Sequence, residues 1–220
     1  MNSIKDRLAQ ILSELPTGCT LVAVSKTKPD TDIMEAWQTG HRHFGENKVQ
    51  ELVTKAEALP KDIHWHMIGH LQRNKVKYIA SFVHLIHGVD TIRLLKEINK
   101  QGEKNERTID CLMQVHIASE ETKFGFSPDE LSGIFSSGEL AELKNVKIRG
   151  LMGMATNTTD TLQVEKEFKG LKKLYEELNE ISNAGMNILS MGMSGDYTIA
   201  IKAGSNMVRI GSSIFGSRNY

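Results

Sequence analysis

Eight short apolar runs alternate with amphipathic stretches along the chain, and no other feature restricts the fold as strongly. The runs lie at residues 21–26, 43–46, 63–69, 83–89, 109–118, 146–155, 188–193 and 207–210. In the first, Leu21-Val22-Ala23-Val24 reads as a strand buried on both faces, and Pro29 closes it by withholding a ladder donor. Between the runs, apolar residues recur at helical spacing: Ile33, Met34 and Trp37, then Val49, Leu52, Val53 and Ala56, then Leu94, Leu95 and Ile98 behind a cap on Asp90. A short helix starts near Arg73, and another covers residues 197–202. Ser127-Pro128-Asp129-Glu130 supplies an N-cap, a first-turn proline and a capping-box glutamate for the helix carrying Leu131, Ile134 and Phe135. The longest stripe is Val164, Phe168, Leu171, Tyr175 and Leu178.

Strand–helix alternation argues a parallel sheet, and eight units in a chain of 220 residues argue a closed (β/α)8 TIM barrel of α/β class. An open doubly wound sheet is the alternative, but it places a glycine-rich loop after its first strand. Here that turn is Ser25-Lys26-Thr27-Lys28-Pro29. Ile4, Leu8, Ile11, Leu12 and Leu15 form a leading helix at about residues 3–15. Little sequence follows the eighth run, so this helix is expected to fill the slot between strands eight and one. No linker, repeat or low-complexity stretch divides the chain, and one domain over residues 1–220 is expected.

Lys plus Arg and Asp plus Glu each total 27, and this balance disfavours nucleic acid or an anionic membrane as the main partner. No apolar run approaches the roughly 20 residues of a membrane span. Lys5, Asp6 and Arg7 near the start are not followed by the apolar core of a secretory signal. The two cysteines, Cys19 and Cys111, fall near strand starts and lack metal-pair spacing, so a reducing cytoplasm is expected.

Barrels carry their chemistry at the C-terminal strand ends, with phosphate sites after strands seven and eight. Strand one ends on Lys26, where desolvation favours the neutral, nucleophilic amine of a Schiff-base lysine. Its plain alternative is a stem on the strand end with its head in solvent. Strand two ends on Gly45-Glu46-Asn47, and strand three near His66 and Gly69-His70. Strands seven and eight run into Gly192, Ser194, Gly195, Gly211, Ser212 and Ser213, which supply close backbone approach and hydroxyl donors for an anion. Serine-capped tight turns are the plain reading of each half. A Schiff-base lysine beside a phosphate cradle describes a pyridoxal 5'-phosphate (PLP) site. Alternation places Met207, Arg209 and Gly211 on one face, so Arg209 could donate to the pyridine nitrogen, unless it serves a structural ion pair.

Several segments carry a resemblance: Val24-Ser25-Lys26-Thr27-Lys28, His43-Phe44-Gly45-Glu46-Asn47, Trp65-His66-Met67-Ile68-Gly69-His70-Leu71-Gln72-Arg73-Asn74-Lys75, Lys123-Phe124-Gly125-Phe126, Ser190-Met191-Gly192-Met193-Ser194-Gly195-Asp196 and Val208-Arg209-Ile210-Gly211. In order and spacing the chain resembles the pyridoxal phosphate homeostasis proteins, single-barrel relatives of alanine racemase. The resemblance implies a fold-type III barrel without the C-terminal β-domain, and PLP on Lys26. It implies phosphate contacts from Ser194, Gly211 and Ser212, Arg209 at the ring nitrogen, and Asn47 near the cofactor, with His66 a motif position of open role. It implies buffering and supply of PLP in vitamin B6 homeostasis, an effect on amino-acid balance, and transient contact with PLP-dependent apoenzymes. Without the usual dimer-forming domain, a monomer is expected.

Three other functions are open to these residues. A racemase or decarboxylase needs a second acid/base group, and neither cysteine stands at the reactive end. A metal-dependent hydrolase could use His64 and His66, which share a strand face, but no carboxylate ends strand eight. A cofactor-free aldolase needs Lys26 without a phosphate cradle. Lys123 is either a second phosphate contact or a solvated loop lysine.

Overall fold

Strand β1 (Thr20–Val24) pairs in parallel with β2 (His43–Glu46) on one side and with β8 (Met207–Ile210) on the other. Through β3 (His64–Met67), β4 (Leu85–Val89), β5 (Ile109–Val115), β6 (Val146–Gly153) and β7 (Ile188–Met193), the ladder closes in sequence order into an eight-stranded parallel barrel. The computed structural model describes residues 3–120, 124–182 and 185–216. Lys123 lies outside the described residues.

Period-two alternation sorts the strand residues. Val22, Leu85, Leu112, Met152 and Met207 pack together inside the barrel. Their neighbours Leu21, Ala23, Phe44, Trp65, Met67, Ile86, Met113 and Val208 join a second cluster with the helices. Those helices are α1 (Ile4–Glu14), α2 (Asp30–Gln38), α3 (Val49–Ala58), α4 (Ile92–Lys104), α5 (Pro128–Ser136), α6 (Thr161–Ser182), α7 (Tyr197–Lys202) and α8 (Ser212–Phe215). Helix α1 lies against α8 and α2, the helices that follow β8 and β1, so it stands in the slot between those strands. Arg7 Nε donates to Ile214 O at 2.6 Å, and Lys5 N donates to Glu35 Oε1 at 3.2 Å.

The structure moves several boundaries. Strand β1 stops at Val24, two residues before Lys26, because Ser25 O accepts a turn bond from Lys28 N at 3.0 Å. Strands three to six are shorter than the apolar runs: β5 and β6 stop before the C-terminal ends of theirs, β4 starts two residues into its run, and β3 is trimmed at both ends. The helix near Arg73 is a 3-10 turn, Arg73–Tyr78. Thr91, not Asp90, caps α4, accepting from Leu94 N at 3.2 Å. Asp90 instead pairs with His70 Nδ1 at 2.9 Å. The capping box at Ser127 and Glu130 is formed as expected. Among the described residues, no helix is long and apolar enough to cross a membrane.

Candidate functional site

Lys26 is the second residue of the turn that leaves β1. The next residue, Thr27, holds φ at 64°, a left-handed conformation that a β-branched side chain adopts only when its surroundings impose it. The imposing group is Glu51 on α3, whose Oε1 accepts from Thr27 N at 2.6 Å. The same oxygen accepts from Lys55 Nζ at 2.7 Å, and Lys55 also donates to Ser25 O at 2.9 Å and to Glu46 Oε1 at 2.8 Å. Ser25 Oγ donates to Glu46 Oε1 at 2.6 Å. Ser25, Glu46 and Lys55 are all buried. One α3 ammonium thus binds both sides of the Lys26 turn to the end of β2. Burial pushes the Glu46 carboxyl above its ordinary value, against the pull of the Lys55 ammonium.

Lys26 borders a cavity of about 430 Å³ at the C-terminal mouth of the barrel, within the roughly 300–1,000 Å³ range of small-molecule sites. All six residues singled out for a cofactor line it: Lys26, Asn47, Ser194, Arg209, Gly211 and Ser212. Lys28 and Arg209 join Lys26 as cations in the lining, and among the described lining residues none is a carboxylate. Lys28 Nζ donates to Phe215 O at 2.9 Å, tying the Lys26 turn to the end of α8. Gly211 N donates to Ser194 Oγ at 3.3 Å, so the loops after β7 and β8 meet where the phosphate cradle was expected. Of the glycines there, Gly192 needs its lack of side chain most. Its φ is +98°, and a Cβ would lie 2.6 Å from Ala200 Cβ. Gly69, on the opposite wall, admits the backbone of Asn47: a Cβ there would lie 2.4 Å from Asn47 O.

Arg209 faces inward as alternation required, and only 4% of it is exposed. Its hydrogen bonds go to backbone and hydroxyl oxygens, and the Asp196 carboxylate acts on it electrostatically. Nη1 donates to Ser190 O at 2.9 Å and Ser190 Oγ at 2.7 Å, and Nη2 donates to Gly153 O at 3.0 Å. Burial brings the guanidinium down to about 10, which leaves it protonated at neutral pH. An arginine so held presents a fixed cation to the cavity above it.

Sequence reasoning passed over Lys28, Gln114 and Met154, which also line the cavity. Gln114 is the lone polar residue among Cys111 to Val115 and shares its parity with Leu112, a signal that could have placed it inside. His66 is fully buried and lies outside the cavity lining. It belongs to a line of side chains below Arg209. His43 Nδ1 lies 2.9 Å from His66 Nε2, His66 Nδ1 lies 2.9 Å from His87 Nε2, and His87 Nδ1 lies 3.3 Å from Ser190 Oγ. Burial lowers His66 and His87 well below the ordinary imidazole value. Cys111 is buried too, and burial pushes its thiol up, away from the nucleophilic thiolate.

A family model described as alanine racemase, N-terminal domain, matches residues 1–219. The pyridoxal phosphate homeostasis protein of Aquifex aeolicus is 39% identical over 98% of this chain and 98% of its own. The chain belongs to the pyridoxal phosphate homeostasis protein family. PipY of Synechococcus elongatus, solved without PLP, is 34% identical and superposes with a TM-score of 0.93 over 97% of this chain and 100% of PipY. The PipY structure with PLP bound gives 33% identity and a TM-score of 0.88. The barrel and its closing order are thus the family's fold, and the cavity at its mouth occupies the end where barrels carry chemistry.

Proposed function

We propose that this homeostasis-family chain binds PLP covalently at Lys26 and buffers it for vitamin B6 and amino-acid balance. The observation that carries the reading is the cavity itself: a lysine at its edge, a buried arginine at its base, serine hydroxyls on the adjoining loops after β7 and β8, and no carboxylate in the described lining. That donor set fits a dianionic phosphate ester with an aldehyde and an aromatic nitrogen. Lys26 would hold the aldehyde carbon as a Schiff base, and Ser194, Gly211 and Ser212 would hold the phosphate. Arg209 would face the ring nitrogen, with Asn47 on the neighbouring wall. Bound PLP supplies an electron sink for amino-acid chemistry. An arginine at the ring nitrogen keeps that nitrogen unprotonated and the sink weak, which favours holding the cofactor over turning substrate over. The described lining also offers no cysteine or tyrosine as a second acid/base group for racemisation.

The same reading has residues 1–220 acting as one barrel unit, a monomer in the cytoplasm that passes PLP transiently to apoenzymes. A visible spectrum tests its core. The purified protein incubated with PLP should turn yellow, and borohydride should fix the cofactor to the chain. Lys26→Ala should remove both properties while leaving the thermal unfolding midpoint in place. A colourless parent that ignores added PLP overturns the proposal.

A further inference from the structure

We propose that the floor of the barrel, at the end opposite the cavity, binds one divalent transition-metal ion of the zinc class through His43, His66 and His84. His43 opens β2, His66 stands on β3, and His84 directly precedes β4, so three adjacent strands bring them together. Each offers one ring nitrogen, and the three nitrogens lie within 4.8 Å of one another. Tetrahedral zinc with imidazole ligands at about 2.0–2.1 Å needs nitrogens roughly 3.3 Å apart.

The surroundings supply what such a site requires. His66 is oriented from behind by the 2.9 Å contact between its Nδ1 and His87 Nε2, which leaves Nε2 aimed at His43. Outer partners of this kind fix a metal-binding imidazole in the needed tautomer. His84 is braced by His64, stacked on it with centroids 4.4 Å apart and planes 10° apart. His64 Nδ1 lies 3.4 Å from His43 Nε2, so a fourth imidazole stands beside the three. His84 is exposed and gives the ion a route from solvent, whereas His66 is fully buried and gives the site a closed wall. Asp110 faces His84 but is engaged by Arg149 Nη1 at 2.8 Å, so the donor set is nitrogen rather than oxygen. Imidazole donors suit zinc, copper and nickel, while magnesium and calcium take oxygen. Its place at the N-terminal strand ends makes the ion structural or stored rather than catalytic.

The inference uses no residue of the proposed PLP site, so either can fail alone. Full-length protein without an affinity tag, stripped by a chelator, would be titrated calorimetrically with zinc chloride. One equivalent should bind, and the unfolding midpoint should rise with it. Removing a metal's outer partners already costs 10–100-fold in affinity, so replacing two ligands, His43→Gln with His84→Gln, should cost at least about 100-fold. Lys26→Ala should bind zinc as the parent does, which separates the site from chelation by bound PLP. Should the double variant misfold, His84→Gln alone changes only an exposed side chain and carries the same test. Absence of stoichiometric binding, or parent-like binding in the His84→Gln protein, overturns the proposal.

Discussion

The two ends of one barrel interior are built by the same period-two rule and hold opposite chemistry. At the C-terminal rim, inward positions carry Lys26 and Arg209, with serines and glycines between. At the N-terminal floor, inward positions carry His43 and His66, with His64 and His84 stacked beside them. Basic side chains at the rim suit an anion, and imidazole nitrogens at the floor suit a cation. The sheet geometry is shared, so the difference comes from what braces each end. The rim is shaped by charges buried outside the barrel, the Glu46–Lys55–Glu51 network. The floor is shaped by rings packed against rings. An α/β barrel therefore offers two independent places for polar groups, and a helix-borne ion network marks the one that must hold a strained turn.

The largest expected effect breaks the rim's bracing. Lys55→Met keeps most of the apolar stem but leaves Glu46 fully buried without its ammonium. Removing one partner of a buried ion pair costs about 3–5 kcal/mol, and urea unfolding should show a loss of that size. Burial already raises Glu46 above its ordinary 4.5, and loss of Lys55 raises it further. A carboxyl with a raised folded-state value binds a proton more readily in the native protein than in the unfolded chain. Its burden on stability is absent below the unfolded value and appears as pH rises through the folded value. The variant's deficit should therefore shrink on acidification towards pH 4.5. A deficit under ~1 kcal/mol at neutral pH would mean the native Glu46 already holds a proton, on its unpartnered buried Oε2.

Much of the rim was legible because strand parity and the barrel rule act on local sequence. Lys26, Ser194, Arg209 and Ser212 each sit at the end of an apolar run, and closure of the sheet gathers them. Gln114 and Met154 were hidden in the runs of strands five and six, whose ends carry no charge. Lys55 reads in sequence as an ordinary helix lysine, and its burial depends on Ser25, in the turn after β1, and Glu46, at the end of β2, reaching it. The floor was the least legible region. Spacing drew attention to His64 and His66 on one strand, but the grouping that forms is across strands, with His43 and His84 some 20 residues to either side. Only the β2–β3–β4 register brings those positions together.

A second test sits at the boundary between the two ends. Arg209→Met removes the rim's buried cation and the bonds it donates to Ser190 O and Gly153 O. Hydrogen bonds to a charged group contribute about 1.5–3 kcal/mol each, and relief of the buried charge offsets part of the loss, so a net cost of about 2 kcal/mol is expected. PLP affinity should fall at least tenfold, which corresponds to about 1.4 kcal/mol of lost binding. Zinc binding at the floor should be unchanged. Equilibrium dialysis against each ligand separates the outcomes: a loss of both would show that the ends act as one site.

The smallest effect concerns one hydroxyl. Ser190 Oγ accepts from Arg209 Nη1 at 2.7 Å and lies 3.3 Å from His87 Nδ1, so it joins the base of the cavity to the line of imidazoles below. Ser190→Ala should cost about 1.5 kcal/mol, the low end for a hydrogen bond to a charged group. Arg209 keeps two carbonyl acceptors, so PLP affinity should move by less than about threefold, and an absorbance titration of the variant checks this. A tenfold change would mean that the tautomers of His87 and His66 reach the cofactor through Ser190. Titrating PLP with and without zinc, in the parent and in Ser190→Ala, would then distinguish a conducted effect from a local one: zinc would shift PLP affinity in the parent alone. The rim's cations and the floor's imidazoles meet at Ser190, which touches Arg209 on one side and His87 on the other, so a change at this one hydroxyl reads out whether the two ends communicate.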